Sequence, residues 1–396
     1  MCIDKKLKIM IIAFNPFSMG FYLIRRKFIV NLIVLCKHIT AQLCYNFHEI
    51  WFKFLRKNMI YVNYRKGEDM EQNDANNLSL RNMLILTGFL GVLLVASMFI
   101  YGPRVLAIAA VSYGVSFVIE FSFTKLRNQS LDNAWMVTPM IFALLVPPNA
   151  PLWMAGIGAG FAVFFGKMIF GGLGKTVFNP ALVGIIFVTV SFIPFMTTQW
   201  LDPQTGEITP TTPMVAYNDG YQNVTESWSF SELLLGTVPG MVGTTFMIGI
   251  LALGIGLLIL KIADWRITLS VLASYAVIQG LYSFGSELAG GEAFGNAIEY
   301  MFINTFYGFF VGSLLFAAFF VATDPVTAPE GNRGKFIFGF GIALLTVIIR
   351  VFSAFPEGIV FAIILMNAIT PHIDAYYENK IQRTSNTKVE TQEVSS

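Results

Sequence analysis

Apolar residues gather into ten runs from Leu84 onward: 84–101, 104–122, 135–148, 152–170, 180–197, 242–261, 267–285, 298–321, 336–352 and 357–371. A helix of about 20 apolar residues crosses a bilayer, so the pattern predicts ten membrane-spanning helices. The third and tenth runs are short, and the third ends in Pro147-Pro148. A short span within a bundle implies a broken or tilted helix beside a pathway. The only long polar stretch between spans is 198–230, and the apolar stretch 231–239 after it is expected to re-enter the membrane.

Lys and Arg orient the spans. With Arg81 in the cytoplasm and strict alternation, Lys125, Arg127, Lys167, Lys175, Lys261, Arg266, Arg333, Lys335, Lys380, Arg383 and Lys388 also fall at or near the cytoplasmic side. Only Arg104 and Arg350 fall toward the outside. The loop 198–230 has no Lys or Arg and carries Asp202, Glu207, Asp219 and Glu226, so it is placed outside. Ten spans divide as five plus five, the first half starting inside and the second outside, which is the arithmetic of an inverted repeat. The expected division is a segment 1–69, a polar cytoplasmic lead 70–83, a first membrane repeat 84–197, an outer loop 198–230, a second membrane repeat 231–374 and a cytoplasmic tail 375–396.

Composition agrees. Of 396 residues 55% are hydrophobic and 13% charged, with a mean hydropathy of +0.64. A soluble domain carries about 25% charged residues, so an ordinary soluble enzyme is excluded. A formal net charge of +2 with no basic stripe excludes a nucleic-acid partner. The charge is unevenly spread. Residues 1–69 hold twelve of the 26 basic residues, four of the 24 acidic ones and all three cysteines (Cys2, Cys36, Cys44). Two readings of this segment stand side by side: a basic membrane-surface or targeting segment, or a stretch ahead of the true start. On the second reading Lys66-Gly67-Glu68-Asp69-Met70 is the peptide expected when a purine-rich ribosome-binding site is read through, and translation begins at or near Met70.

The remaining chain has no cysteine and a single histidine, His372. Zinc, iron–sulfur and haem ligation are therefore not expected there, and no metal site is assigned. Four constellations carry candidate chemistry. Gly171-Gly172-Leu173-Gly174-Lys175 leads into a helix predicted to start at Asn179-Pro180, with Asn as cap and Pro in the first turn. It reads as an anion-accepting helix start or as a tight cytoplasmic turn. Leu235 to Gly243 contains Pro239 and the glycines Gly236, Gly240 and Gly243. They break any helix, and non-helical backbone at membrane depth needs protein or a water-filled cavity around it. Asp324 sits in an Asp-Pro turn, Ala322 to Pro329. Arg350 lies inside an apolar run with Glu357 seven residues on. It reads as a functional ionisable group or as an arginine snorkelling to the outer interface. Glu120 and Lys167 are similar but nearer the cytoplasmic ends.

Five segments, in this order and spacing, resemble one family: FGGLGKTVFNPAL at 170–182, LLLGTVPGMVG at 233–243, ADWRI at 263–267, FVATDPVTAP at 320–329 and LLTVIIRVFSAFPEGIVFAIILMNAITPHID at 344–374. The family is NqrB/RnfD: the NqrB subunit of the Na+-translocating NADH:quinone oxidoreductase (Nqr) and its counterpart, the RnfD subunit of the Rnf electron-transport complex. The resemblance covers about 84 to 374, and the length after Met70 suits the shorter RnfD-type subunit. It implies an all-α polytopic membrane protein of about ten helices, arranged as two inverted five-helix repeats related to urea channels, in a bacterial or archaeal cell membrane. It further implies FMN joined through a phosphoester to a threonine after the fifth helix, with riboflavin or another second flavin as a further cofactor.

The family's attachment motif reads roughly Asp-x-x-Ser/Thr-x-Ala-Thr. Here Thr209 matches the Ser/Thr and Thr212 the flavinylated threonine, while Gly206 replaces the Asp and Thr211 the Ala. Thr211 thus offers a rival hydroxyl. Thr244-Thr245-Phe246 stands where the family usually has Glu-Thr-Ser, and Thr176 where it often has Asn. The implied function is a translocase subunit, inactive alone, that relays electrons through covalent FMN and couples them to Na+ or H+. Its implied partners are the other subunits and a flavin transferase. The competing reading is a redox-inactive channel or transporter of urea-channel-like fold. Thr209, Thr211, Gly240, Gly243, Asn179, Asp324, Arg350 and Glu357 accompany Thr212 as cofactor or pathway candidates.

Overall fold

The computed structural model describes residues 72–128, 135–172, 174–353, 355 and 357–394. The segment 1–69 and its cysteines lie outside them, as do Met70, Leu173 and Pro356. Glu71–Ser396 forms one compact unit.

Most of the described residues are helical. Helix α1 spans Gln72–Tyr101, α2 Arg104–Leu126, α3 Val137–Leu144 and α4 Leu152–Val163, which continues as a wider π-turn over Phe164–Met168. Then come α5 (Pro180–Ser191), α6 (Ile193–Thr197), a two-stranded antiparallel hairpin of β1 (Trp200–Leu201) and β2 (Ile208–Thr209), and three short helices: α7 (Pro213–Tyr217), α8 (Tyr221–Ser227) and α9 (Phe230–Leu235). The second half holds α10 (Met247–Ile259), α11 (Trp265–Ala289), α12 (Phe294–Phe310), α13 (Leu314–Phe316, continued as a π-turn over Ala317–Val321), α14 (Asn332–Phe352) and α15 (Gly358–Val394).

Five stretches are long and apolar enough to cross a membrane: Leu80–Tyr101, Arg104–Leu126, Trp265–Ala289, Asn332–Phe352 and Gly358–Tyr377. A sixth crossing arises if α12 and α13 are one span, bent by 66° at Val311-Gly312-Ser313. Leu152–Met168, Pro180–Ser191 and Met247–Ile259 are apolar but shorter. The predicted polar lead before residue 84 is already helical, because nothing between Gln72 and the apolar run breaks a helix. The predicted tail after 374 likewise continues α15, which absorbs Pro371 in its interior.

Packing follows the small residues. Helix α11 lies along α14 and α12, α14 along α15, α2 along α4 and α4 along α5. At the α4–α5 contact, a Cβ on Gly184 would stand 2.6 Å from Ala162 Cβ and 2.7 Å from the Gly158 carbonyl oxygen. The backbones therefore meet directly, as small residues allow in membrane helices. Gly184→Ala must push this carbonyl aside. Its expected effect is a loss of about 1–3 kcal/mol of stability, read as a lower melting temperature of the detergent-solubilised protein.

The stretch 236–246 is non-helical but enclosed by protein. Gly243 N–H donates to Leu144 O (2.7 Å) and Val242 N–H to Val146 O (3.1 Å). Helix α3 is only eight residues long, and these bonds occupy carbonyls that its early end leaves open. Tyr101 hydroxyl donates to Val238 O at 2.7 Å. The stretch 231–239 holds a single short helix, α9, capped reciprocally by Ser229 and Glu232 and followed by Gly236 at φ +81°.

Candidate functional site

The loop after α6 places its threonines through local chemistry. Pro210 and Pro213 flank Thr211-Thr212, and Thr212 is extended at φ −121°, ψ 163°. Its Oγ1 accepts from Val215 N–H at 3.2 Å, which caps α7. Thr209 Oγ1 accepts from Thr211 N–H at 3.2 Å, closing a small side-chain turn. Thr212 is 4% exposed, whereas Thr209 and Thr211 are half-buried. Met214 and Tyr217 anchor α7 in a cluster with Val224, Leu233, Val238 and Val311, and Tyr217 hydroxyl donates to Asn304 O at 2.8 Å.

Thr212 lines a small pocket together with Gly240, Thr244, Thr245, Gly312 and Glu357. Its volume is about 20 Å³, room for about one water. Two glycines keep its walls bare. A Cβ on Gly240 would stand 2.6 Å from Thr245 Cγ2, and one on Gly312, at φ +71°, would stand 3.0 Å from both carboxylate oxygens of Glu357. Glu357 accepts from Ser313 N–H at 2.9 Å and from the Ser313 hydroxyl. Segments around 212, 240, 312 and 357 thus converge on one point.

The hairpin roofs this region from one side. Gln204 Nε2 donates to Glu232 Oε1 (2.8 Å) and to Thr237 O (3.0 Å). The Ser229 N–H, helped by Gln204 and the Ser229 hydroxyl, holds the exposed Glu232 carboxyl below its ordinary range. This clasp therefore persists at neutral pH and loosens only when acid protonates Glu232.

Arg350 is buried, 4% exposed, and does not reach solvent. Its Nη1 donates to Tyr275 hydroxyl (2.9 Å) and Gly308 O (3.2 Å), and its Nη2 to Val311 O (3.4 Å). The guanidinium also lies 5.4 Å from the centre of the Tyr275 ring. Glu357, seven residues on, bonds to Ser313.

Asn179 and Asp324 meet elsewhere. Asn179 caps α5 as predicted, its Oδ1 accepting from Ala181 and Leu182 N–H at 3.1 and 3.4 Å. Its Nδ2 donates to Asp324 Oδ2 at 3.3 Å. Asp324 also accepts from Val326 N–H and the Thr327 hydroxyl, both at 3.1 Å. Asn367 completes the set: its Oδ1 accepts from Asn179 N–H (3.3 Å) and its Nδ2 donates to Thr327 O (3.2 Å). Sequence reasoning missed Asn367, because no spacing rule links it to residues so distant in the chain. Asn179, Asp324, Thr176 and Lys167 line a mainly apolar cavity of about 440 Å³. Lys167 Nζ lies 2.7 Å from Glu120 Oε1, both side chains being at most 2% exposed. Gly243 lines neither pocket and serves the contact with Leu144.

Residues 72–383 match the NQR2, RnfD, RnfE family. The chain is 32% identical over 353 residues to the D-type subunit of the ion-translocating oxidoreductase complex of Actinobacillus succinogenes, which covers 78% of this chain and 94% of that one. It is 30% identical over 300 residues to the protein of the same name from Pseudomonas aeruginosa, covering 70% and 84%. Against the B-type subunit of the Na(+)-translocating NADH-quinone reductase of Chromohalobacter salexigens it is 36% identical over 278 residues, 69% of this chain and 65% of that longer one. A match that runs from the start of α1 into α15, through both pockets, makes this chain a member of the NQR2, RnfD, RnfE family.

Proposed function

We propose that this chain is an integral membrane subunit, of the RnfD type, in an ion-translocating electron-transport complex, and that it relays electrons through FMN joined covalently to Thr212. The family match and the near full-length alignment with the Actinobacillus relative support the complex. One observation carries the flavin reading: Thr212, Gly240, Gly312 and Glu357, from four distant segments, line one pocket. The nucleotide's phosphoryl group is larger than this hollow and lies outside it. A volume of about 20 Å³ leaves the flavin ring outside that hollow. FMN, when bound, supplies one- or two-electron chemistry, and the protein supplies position and electrostatics. A separate flavin transferase attaches it, other subunits deliver and remove the electrons, and Na+ or H+ is the coupled ion.

The matching architecture is ten spans in two inverted repeats, 84–197 and 231–374, of urea-channel-like fold, with the start of α1 in the cytoplasm of a bacterial or archaeal cell. The five long helices, the bent pair and the three shorter apolar helices account for nine of these spans, and the eight-residue α3 lies within the tenth, 135–148. The larger cavity falls within the ~300–1,000 Å³ of small-molecule sites. Its apolar walls and few polar groups suit a second, non-covalent flavin such as riboflavin.

The test is a denaturing gel of the protein co-expressed with a flavin transferase. Flavin fluorescence that stays with the unfolded band supports the reading. A dark band from intact protein returns the chain to a redox-inactive channel or transporter.

A further inference from the structure

The starts of α11 and α14 stand side by side and form a small charged platform. Asp264 caps α11, its Oδ1 accepting from Arg266 N–H at 2.9 Å. It also reaches across to α14, where Lys335 Nζ donates to its Oδ2 at 2.6 Å. Two further contacts lock the helices together there. The Ser270 hydroxyl donates to Phe336 O at 2.6 Å, and a Cβ on Gly339 would stand 2.6 Å from Ser270 Cβ. Burial works against the Asp264 carboxylate, but its bonds from Lys335 and the Arg266 N–H outweigh it and hold the group below its ordinary range. The carboxylate is therefore charged at neutral pH.

Cations outnumber carboxylates on this platform. Lys261, Arg266, Arg333 and Lys335 stand against Asp264 and Glu330 in the two short stretches 261–266 and 330–335. Lys335 takes the Asp264 oxygen at 2.6 Å, while Arg266 Nη1 lies 3.5 Å from that same oxygen. This long contact is the one hydrogen bond of the Arg266 guanidinium among the described residues, so most of its donors are open. Cations are disfavoured at a helix N-terminus, yet Arg266, Arg333 and Lys335 all lie among the first four residues of a helix. Orienting a span requires positive charge near its end, but no fixed geometry. Here the geometry is fixed. The Arg266 guanidinium lies 5.3 Å from the centre of the Trp265 ring, and Trp265 meets Phe336 edge to face with ring centres 6.3 Å apart. Trp265, Leu269, Phe336 and Phe340 are all exposed. On each helix the two members are four residues apart, so they form one apolar shelf that runs from the platform along the spans.

We infer that the platform and shelf bind one anionic phospholipid, its phosphate on Arg266 and Arg333 and an acyl chain along Trp265, Leu269, Phe336 and Phe340. This rests on the membrane-spanning reading of α11 and α14 and not on the flavin. The start of a span lies at headgroup depth, where an indole ring is at home. Guanidinium groups match phosphate oxygens with paired N–H donors. Basic pockets between membrane helices select anionic headgroups in this way. A zwitterionic lipid brings its own ammonium group, which the surplus cations repel. Free phosphate gains the cations but leaves the shelf uncovered. The lock between the two helices holds charge and shelf in place before the lipid arrives, so little ordering is needed on binding.

The test is tryptophan quenching in the full chain, reconstituted in phosphatidylcholine vesicles that contain phosphatidylglycerol. Each lipid in turn carries bromine on its acyl chains, and a Trp265→Phe change in each background isolates the signal of Trp265. Brominated phosphatidylglycerol is expected to quench Trp265 several-fold more effectively, mole for mole, than brominated phosphatidylcholine. Arg266→Gln and Arg333→Gln are each expected to lower that preference by up to about fivefold, the ~1 kcal/mol of one basic residue at an anionic surface. Lys125→Gln removes one exposed cation at the end of α2 and is expected to leave the preference unchanged. Equal quenching by the two lipids in the wild type overturns the inference. So does a preference that falls as far in Lys125→Gln as in the arginine variants, which is the mark of general surface charge. If Arg266→Gln does not accumulate, Arg333→Gln decides by itself, and an unchanged preference overturns the inference. All these outcomes leave the covalent flavin at Thr212 standing. A chain recovered in the soluble fraction without detergent overturns the membrane reading and this inference with it.

Discussion

Thr212→Ala is expected to abolish covalent flavin while the protein still inserts and accumulates. Thr212 shares its pocket with Gly240, Gly312 and Glu357; Thr244 and Thr245 line the same pocket but lie outside the segment 206–212 that resembles the attachment motif. The structural cost is modest. The substitution removes one helix cap, the bond from Val215 N–H, which is worth about 0.5–2 kcal/mol. Helix α7 keeps its anchors, since Met214 and Tyr217 are buried and Tyr217 still bonds Asn304 O. In-gel flavin fluorescence of wild type, Thr212→Ala, Thr212→Ser and Thr211→Ala reads the result. Serine retains a hydroxyl and is expected to keep at least part of the signal. Thr211→Ala is expected to keep all of it. Fluorescence that persists in Thr212→Ala and disappears in Thr211→Ala moves the attachment point to Thr211. Because Thr212 is 4% exposed, a transferase reaches it only when the segment 209–212 swings out or before it has packed. The clasp of Gln204 on Glu232 and Thr237 is made of exposed bonds, which are the ones that open most readily.

What the sequence made legible was local chemistry. Asn179 and Pro180 announce a capped helix start, and the structure has that cap with Pro180 in the first turn. Pro239 and its glycines announce a break, and 236–246 is non-helical. What stayed hidden was of two kinds. Apolar windows report greasiness and not direction, so the run 298–321 gives no sign of a 66° bend at Gly312. The third run, expected to be short and broken or tilted because it ends in Pro147-Pro148, is helical over only eight residues, α3. Partners distant in sequence were the second kind. Arg350 meets Tyr275, 75 residues away, and Asn179 meets Asp324, 145 away. Periodicity relates residues three, four or seven apart and has no purchase at such distances. Glu357, seven residues on from Arg350, is not among its hydrogen-bond partners. The backbone turn at Gly312 gives each charge a different helix end instead.

Lys167→Met is expected to be among the most damaging single changes in the first half of the molecule. Lys167 Nζ lies 2.7 Å from Glu120 Oε1, and both side chains are at most 2% exposed. Lys167 sits in the π-turn that widens the end of α4, and Glu120 is on the buried face of α2. Breaking a buried pair leaves a desolvated charge behind and costs about 3–5 kcal/mol. That is a large share of the ~5–15 kcal/mol by which proteins are stable, so low yield and an early melting transition are expected. The double variant Glu120→Gln/Lys167→Met removes both charges. It is expected to recover most of the stability, since replacing a buried pair by neutral groups is often neutral or favourable. Recovery of function does not follow. Lys167 lines the cavity that also holds Asn179 and Asp324, and the double variant changes the electrostatics there. Melting temperature, then, is expected to return while ion-coupled electron transfer in the assembled complex stays impaired. A double variant as unstable as the single one would show that the pair is not a stability unit. One that is stable and fully active would remove Lys167 from the working surface of the cavity.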